Sequence, residues 1–127
     1  MNLKINTKEK FTVLTPEETV ITVNMAAELV DLLRGYLQKD IPHIVLNMKQ
    51  VVQIEGNGGF LLAECQQLFY EQNCSFVICA LQPAVENELD RQELLEQMNI
   101  TPTESEAWDI VQMEEIEREL LNDEEAD

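Results

Sequence analysis

The chain has 127 residues, 45% of them hydrophobic, and a formal net charge of −17. That length fits one domain and that apolar fraction supports a buried core, which excludes wholesale disorder. The charge is lopsided: residues 1–85 carry 9 acids and 6 bases, residues 86–127 carry 16 acids and 2 bases. Repulsion from phosphate argues against nucleic acid or an anionic membrane as partner. No apolar run reaches the roughly 18 residues that cross a bilayer. Residues 1–10 are polar, with Lys4, Lys8 and Lys10 and no apolar stretch behind them, so no signal peptide is read and a cytoplasmic protein is expected.

Residues 10–15 and 19–23 are β-prone, with Pro16-Glu-Glu18 between them, and are expected to pair as an opening hairpin. Asn24 is a candidate cap for a helix over residues 25–38, in which Met25, Leu29, Val30, Leu33 and Leu37 form one stripe. Pro42 ends it and launches the apolar strand His43-Ile-Val-Leu-Asn-Met48. A turn, Gly56-Asn-Gly-Gly59, opens a second helix over residues 60–72 with Leu61, Cys65, Leu68 and Phe69 on one face. Ser75-Phe-Val-Ile-Cys-Ala-Leu81 reads as a central strand stopped by Pro83, followed by a short helix over residues 84–90. Thr103-Glu-Ser-Glu106 has the spacing of a capping box for a last helix, in which Ala107, Ile110, Met113, Ile116 and Leu120 recur every three or four residues. Two strands followed by alternating strand and helix predict an α/β domain: a mixed sheet of four to five strands with about four helices packed on it.

Little in this chain suits catalysis. The glycine turn lacks the Lys and Ser/Thr of a phosphate-binding loop, no Ser stands on a G-x-S-x-G elbow, and His43 is the only histidine. The adjacent acids Glu17 and Glu18, and Glu114 and Glu115, lie in polar contexts that suit solvated surface rather than acid–base work. Cys65, Cys74 and Cys79 contain no C-x-x-C and sit among apolar residues, which predicts buried thiols and no metal site or cofactor. Trp108, the only Trp, is read as a core or edge anchor.

Three segments carry a family likeness: Ile41-Pro-His-Ile-Val-Leu-Asn-Met48, Ile54-Glu-Gly-Asn-Gly58, and Phe76-Val-Ile-Cys-Ala-Leu-Gln-Pro-Ala-Val85. Together they resemble the STAS domain of anti-sigma factor antagonists over about residues 25–111. The resemblance implies a non-enzymatic, protein-binding regulator whose partner is an anti-sigma factor and serine kinase of histidine-kinase-like fold. In that family a Ser or Thr in the turn before a helix is phosphorylated, and the phosphate abolishes binding. Aligned with the motif D-S-S/T-G, Glu55 takes the Asp position, Gly56 the first Ser, Asn57 the phosphoacceptor and Gly58 the Gly. Asn cannot accept phosphate, so the likeness implies a turn without its switch. Gly59-Phe60 stands where Leu-Gly is usual, and the family's earlier acidic residue falls near Thr22 or Asn24 and is absent.

The expected partner surface is therefore Glu55, Gly56, Asn57, Gly58, Gly59 and Phe60 with Thr22, Asn24 and Met25. The alternatives are a diverged STAS scaffold or assembly subunit and, less favoured, a small-ligand module. The domain is expected to span residues 1–111, with residues 112–127 as an acidic helical extension and tail.

Overall fold

The computed structural model describes residues 1–125, with side chains through Leu121; Ala126 and Asp127, the end of the expected acidic tail, lie outside them. The strands are β1 (Leu3–Thr7), β2 (Thr12–Pro16), β3 (Val20–Ile21), β4 (Ile44–Asn47), β5 (Gln53–Ile54), β6 (Phe76–Cys79) and β7 (Ile100–Thr101). The helices are α1 (Val23–Gly35), α2 (Gly58–Glu71), α3 (Pro83–Arg91) and α4 (Glu104–Glu125). Five strands form one mixed sheet in the order β1-β2-β4-β6-β7, antiparallel between β1 and β2 and parallel thereafter. This is the mixed sheet with four helices that the alternation of apolar runs predicts.

The opening hairpin uses different strands from those expected. Its first arm is β1, inside the polar leader, and its register runs from Leu3 opposite Pro16 to Thr7 opposite Thr12. Only Leu3 of β1 is even half-buried, as suits an edge strand, where the exposed Lys4 discourages pairing with other chains. The segment expected to pair with β2 instead supplies β3, which pairs in parallel with β5 in a separate two-stranded sheet: Val20 opposite Gln53, Ile21 opposite Ile54.

The helices divide between the two faces. Leu29 and Leu33 of α1, Leu62, Cys65 and Phe69 of α2, and Val85 and Leu89 of α3 join Leu14, Ile44, Leu46 and Ile78 in the main core. Each fully buried Leu or Phe of this set contributes about 1.5–3 kcal/mol relative to exposure. The buried face of α2 runs through Leu62 and Gln66 as well as Cys65 and Phe69, while Leu61 and Leu68 are half-buried, so the helix is rotated from the expected stripe.

On the other face Ala107 and Val111 of α4 pack on Phe11, Val13, Val45, Val77 and Cys79. Trp108 closes the rim of this smaller core, edge-on to Phe11 with ring centroids 5.1 Å apart. The expected α4 stripe is only partly used. Ala107 is buried and Ile110 packs at the margin, but Met113, Ile116 and Leu120 are 55%, 55% and 59% exposed. The central strands β4 and β6 are four residues long, and a 22-residue helix outruns them.

Buried polar side chains bind the layers. Gln66 donates from Nε2 to the carbonyls of Phe76 (3.0 Å) and Asn99 (2.9 Å) and accepts from the Asn99 amide (3.0 Å). One side chain thus holds α2 to β6 and to the approach of edge strand β7. Asn47, at the end of β4, donates to Glu104 Oε1 at 3.2 Å and accepts from the Lys49 amide at 3.0 Å. Arg118 donates to Ser75 Oγ at 3.0 Å, tying the outrunning part of α4 to the start of β6.

Candidate functional site

The glycine turn and the start of α1 lie side by side because β3 and β5 pair. The Val52 amide bonds the Thr19 carbonyl at 2.7 Å and the Glu55 amide bonds the Ile21 carbonyl at 2.8 Å. Each strand then runs directly into a helix, so two helix N-termini emerge together at one end of the fold.

Thr22, not Asn24, caps α1: its backbone is extended (φ −74°, ψ 168°) and its Oγ1 accepts the Met25 amide at 3.2 Å. The reason is β3, which delivers the chain extended as far as Thr22, leaving Asn24 already helical and exposed. Asn57 occupies the position before α2, yet its side chain makes no capping bond. Its φ of −93° and ψ of 17° depart from the extended backbone that aims a cap at the first-turn amides. A tight turn does part of that work, with the Gly58 amide bonding the Glu55 carbonyl at 3.1 Å. Among the described residues the amides of Gly59 and Phe60 have no partner. The helix begins at Gly58, two residues before the expected start.

The glycines are here because neighbours occupy the space where a Cβ would stand. Gly56 has φ +55°, and a Cβ there would lie 2.7 Å from Val23 Cγ2. At Gly58 it would lie 2.5 Å from Ile54 Cγ2 and 3.3 Å from Ala26 Cβ. These near-contacts show that the expected residues of α1 and of the turn come together: the helices approach as closely as hydrogen side chains allow.

Around the turn, Asn57 and Asn24 are exposed, Glu55, Thr22 and Met25 are half-exposed, and Gly58 and Gly59 are buried. Two large apolar side chains stand out into solvent here, Phe60 at 53% and Val23 at 47%. Val23 was not among the expected site residues; it follows a capping Thr, and nothing in its sequence context shows which way it points. Beside the turn is a cavity of about 380 Å³ lined by Ile54, Gly56, Gly59, Val85 and Leu89, with Glu55 and Glu88 among its polar groups and neither lysine nor arginine in its lining. The absence of a side chain at Gly59 helps to open it. Arg91 Nε lies 3.1 Å from Glu88 and its hydrogen bond holds that carboxyl below the usual range.

Of the three thiols expected to be buried, Cys65 and Cys79 are, while Cys74, just before β6, is only half-buried. Burial pushes the Cys65 thiol up to about 11 and the Cys79 thiol to about 12, which keeps both protonated and unreactive near neutrality. Among the described residues no three of His, Cys, Asp and Glu gather as metal ligands, and no helix is long and apolar enough to cross a membrane.

Solved structures with this architecture include a candidate anti-sigma factor antagonist from Thermotoga maritima. It has a TM-score of 0.76 and 18% identity, over 87% of this chain and 94% of that one. An anti-sigma factor antagonist from Mycobacterium paratuberculosis gives a TM-score of 0.74 at 17% identity, over 87% and 93% of the two chains. The murine Slc26a9 anion transporter matches at a TM-score of 0.66 and 12% identity, over 82% of this chain but only 18% of that one. At such identities these likenesses establish the fold alone. No curated protein sequence matches the chain. The family model of the STAS domain matches residues 2–107, from the first arm of the hairpin to the first turn of α4, and the chain belongs to the STAS domain family.

Proposed function

We propose that this protein is a binding regulator of the anti-sigma factor antagonist kind, acting without catalysis. It docks on an anti-sigma factor and serine kinase of histidine-kinase-like fold and so releases a sigma factor. The docking surface is Glu55–Phe60 together with Thr22–Met25. The observation that carries this reading is the paired helix starts, which present an exposed Asn57 without a capping bond and, one on each helix, two exposed apolar side chains, Val23 and Phe60. Apolar side chains ringed by polar groups suit a protein interface. A phosphate added at such a place would desolvate poorly against a fitted partner. Asn57 has comparable polarity but no hydroxyl, which makes the chain a permanently unphosphorylated, binding-competent antagonist.

The test is affinity capture from lysate of the native host with wild type and Asn57→Asp side by side, followed by mass spectrometry and calorimetry on the isolated pair. A negative charge before α2 meets the positive end of the helix, worth about 0.3–1 kcal/mol in favour of the folded state. Lost binding by Asn57→Asp therefore reports the interface rather than unfolding. We expect a kinase-like anti-sigma protein retained by wild type, held at least about tenfold more weakly by the Asp variant, and retained by Asn57→Ser. A partner indifferent to the Asp variant removes Asn57 from the interface.

A second reading is a diverged STAS subunit that scaffolds a larger assembly, favoured by the recurrence of the fold as a minor part of the anion transporter. It requires self-association or a stable complex without a kinase, so a monodisperse monomer by sedimentation across concentrations counts against it.

A further inference from the structure

Beyond residue 107, where the family match ends, α4 continues as helix to Glu125. This part contributes Val111 to the core and then runs past the sheet. It is nonetheless fixed in rotation. Glu114 accepts from Asn99 Nδ2 at 3.4 Å and Arg118 donates to Ser75 Oγ at 3.0 Å, so residues 111, 114 and 118, spaced three or four apart, face the body. At 100° per residue, the side chains at 113, 116 and 120 then lie on the side turned away from the sheet. All three are large and apolar, and Met113, Ile116 and Leu120 are 55%, 55% and 59% exposed. The helix cannot roll to bury them without breaking the contacts of Arg118 and Val111.

Contiguous exposed apolar side chains at the i, i+3, i+7 spacing are how one helix presents itself to another. The charge around this stripe selects the occupant. Residues 104–125 hold ten acids and one base, and that base, Arg118, is bonded to Ser75. Two copies meeting through the stripe would bring two such acidic helices together, which disfavours a homodimer. Anionic lipid is repelled for the same reason. A helix with apolar side chains on one face and Lys or Arg around them would satisfy both the stripe and its carboxylate border. On one flank of the stripe a hollow of about 320 Å³, lined by Lys10, Gln112, Glu115, Ile116 and Glu119, offers room for such side chains.

We propose that the outward stripe Met113–Ile116–Leu120 of α4 is a second docking surface that binds a basic amphipathic helix of a partner protein. It lies on the opposite face of the sheet from α1 and α2, so both surfaces can be occupied at once.

The experiment uses the full chain and a synthetic helical peptide of about 18 residues, or five turns, with Leu at positions spaced three and four apart and Lys elsewhere. A Lys/Ser peptide of the same charge serves as the control. Calorimetry gives the affinity and Trp108, the only Trp, gives an independent fluorescence signal. The variant Met113→Gln/Ile116→Gln/Leu120→Gln leaves the net charge and helix propensity nearly unchanged. The Leu/Lys peptide is expected to bind wild type at least about tenfold more tightly than the triple variant, a difference set by burial of three apolar side chains. The Lys/Ser peptide should bind both equally weakly. Equal binding of the Leu/Lys peptide to wild type and triple variant would reduce the effect to bulk charge and overturn the proposal, as would no binding at all. A concentration-dependent dimer of wild type that the triple variant abolishes would assign the stripe to a second copy instead. Should circular dichroism show helix loss in the triple variant, Ile116→Gln alone is read the same way, with about a threefold loss expected and unchanged affinity refuting.

Discussion

Adding one methyl group at two glycines should move stability in opposite directions, because only one of them supports the turn. In Gly58→Ala the new Cβ would stand 2.5 Å from Ile54 Cγ2 and 3.3 Å from Ala26 Cβ. Ordinary carbon contacts lie at about 3.5–4.0 Å, so roughly 1 Å must be made up. The atom in the way is the branch methyl of a χ1-restricted side chain whose backbone is paired in β5. Ala26, on the other side, is 1% exposed in α1 and has nowhere to go. Overpacking of this kind costs about 1–3 kcal/mol, offset by at most about 1 kcal/mol of helix propensity, which leaves a net loss of up to about 2 kcal/mol with the full offset. Gly35 is the control: it ends α1 with helical φ −59° and has nothing within 4 Å of an added Cβ. Gly35→Ala should gain about 0.5–1 kcal/mol. Urea unfolding followed by far-ultraviolet circular dichroism reads both as shifts of the midpoint at constant slope, about 0.5–1 M downward for Gly58→Ala. The melting temperature should fall by about 3–10 °C in parallel. Gly58→Ala at or above wild-type stability, or a fall in Gly35→Ala, would refute the packing account of the turn.

Gln66→Leu keeps the buried volume but leaves the Asn99 amide without the oxygen it faces, at a cost of about 1–3 kcal/mol. Urea midpoints should drop accordingly, with faster hydrogen exchange at Ile100 and Thr101; a change within about 0.5 kcal/mol would show that water replaces the side chain freely. His43 should make stability sensitive to mild acid. Its Nδ1 accepts the Ser75 amide at 3.0 Å, and burial, then the charge of Arg118, depresses its pKa. The folded value lies below the unfolded one of about 6.5, so the stabilisation is complete above that pH and is lost as pH falls through it towards the folded value. Wild type should therefore lose more stability than His43→Gln between about pH 7 and about pH 5.5, and parallel urea curves over that range would refute the link.

Most of the framework was legible in local sequence. The continuous apolar runs around Ile44 and Phe76 are central parallel strands, since both faces of such a strand are covered and no alternation is needed. Leu29, Val30 and Leu33 form the stripe that α1 buries, and Thr103 caps α4 through Oγ1 to the Glu106 amide at 3.2 Å. The polar leader gave no such signal. β1 is an edge strand with one half-buried side chain, so its place in the sheet is set by main-chain bonds to β2 that no side-chain pattern records.

The site divides in the same way. The glycine-rich break between strand and helix is a local event that the sequence shows by itself, whereas reading Asn57 at a phosphoacceptor position rests on the family resemblance. That Thr22 rather than Asn24 caps α1, that Asn57 makes no capping bond, and that Val23 reaches the turn at Gly56 depend on the pairing of β3 with β5, two dipeptides more than thirty residues apart. The outward stripe of α4 was decided by tertiary structure too. The same three-and-four spacing serves a buried face or an exposed one, and only the short strands beneath α4 and the anchor at Arg118 determine which side of the helix the protein itself can cover.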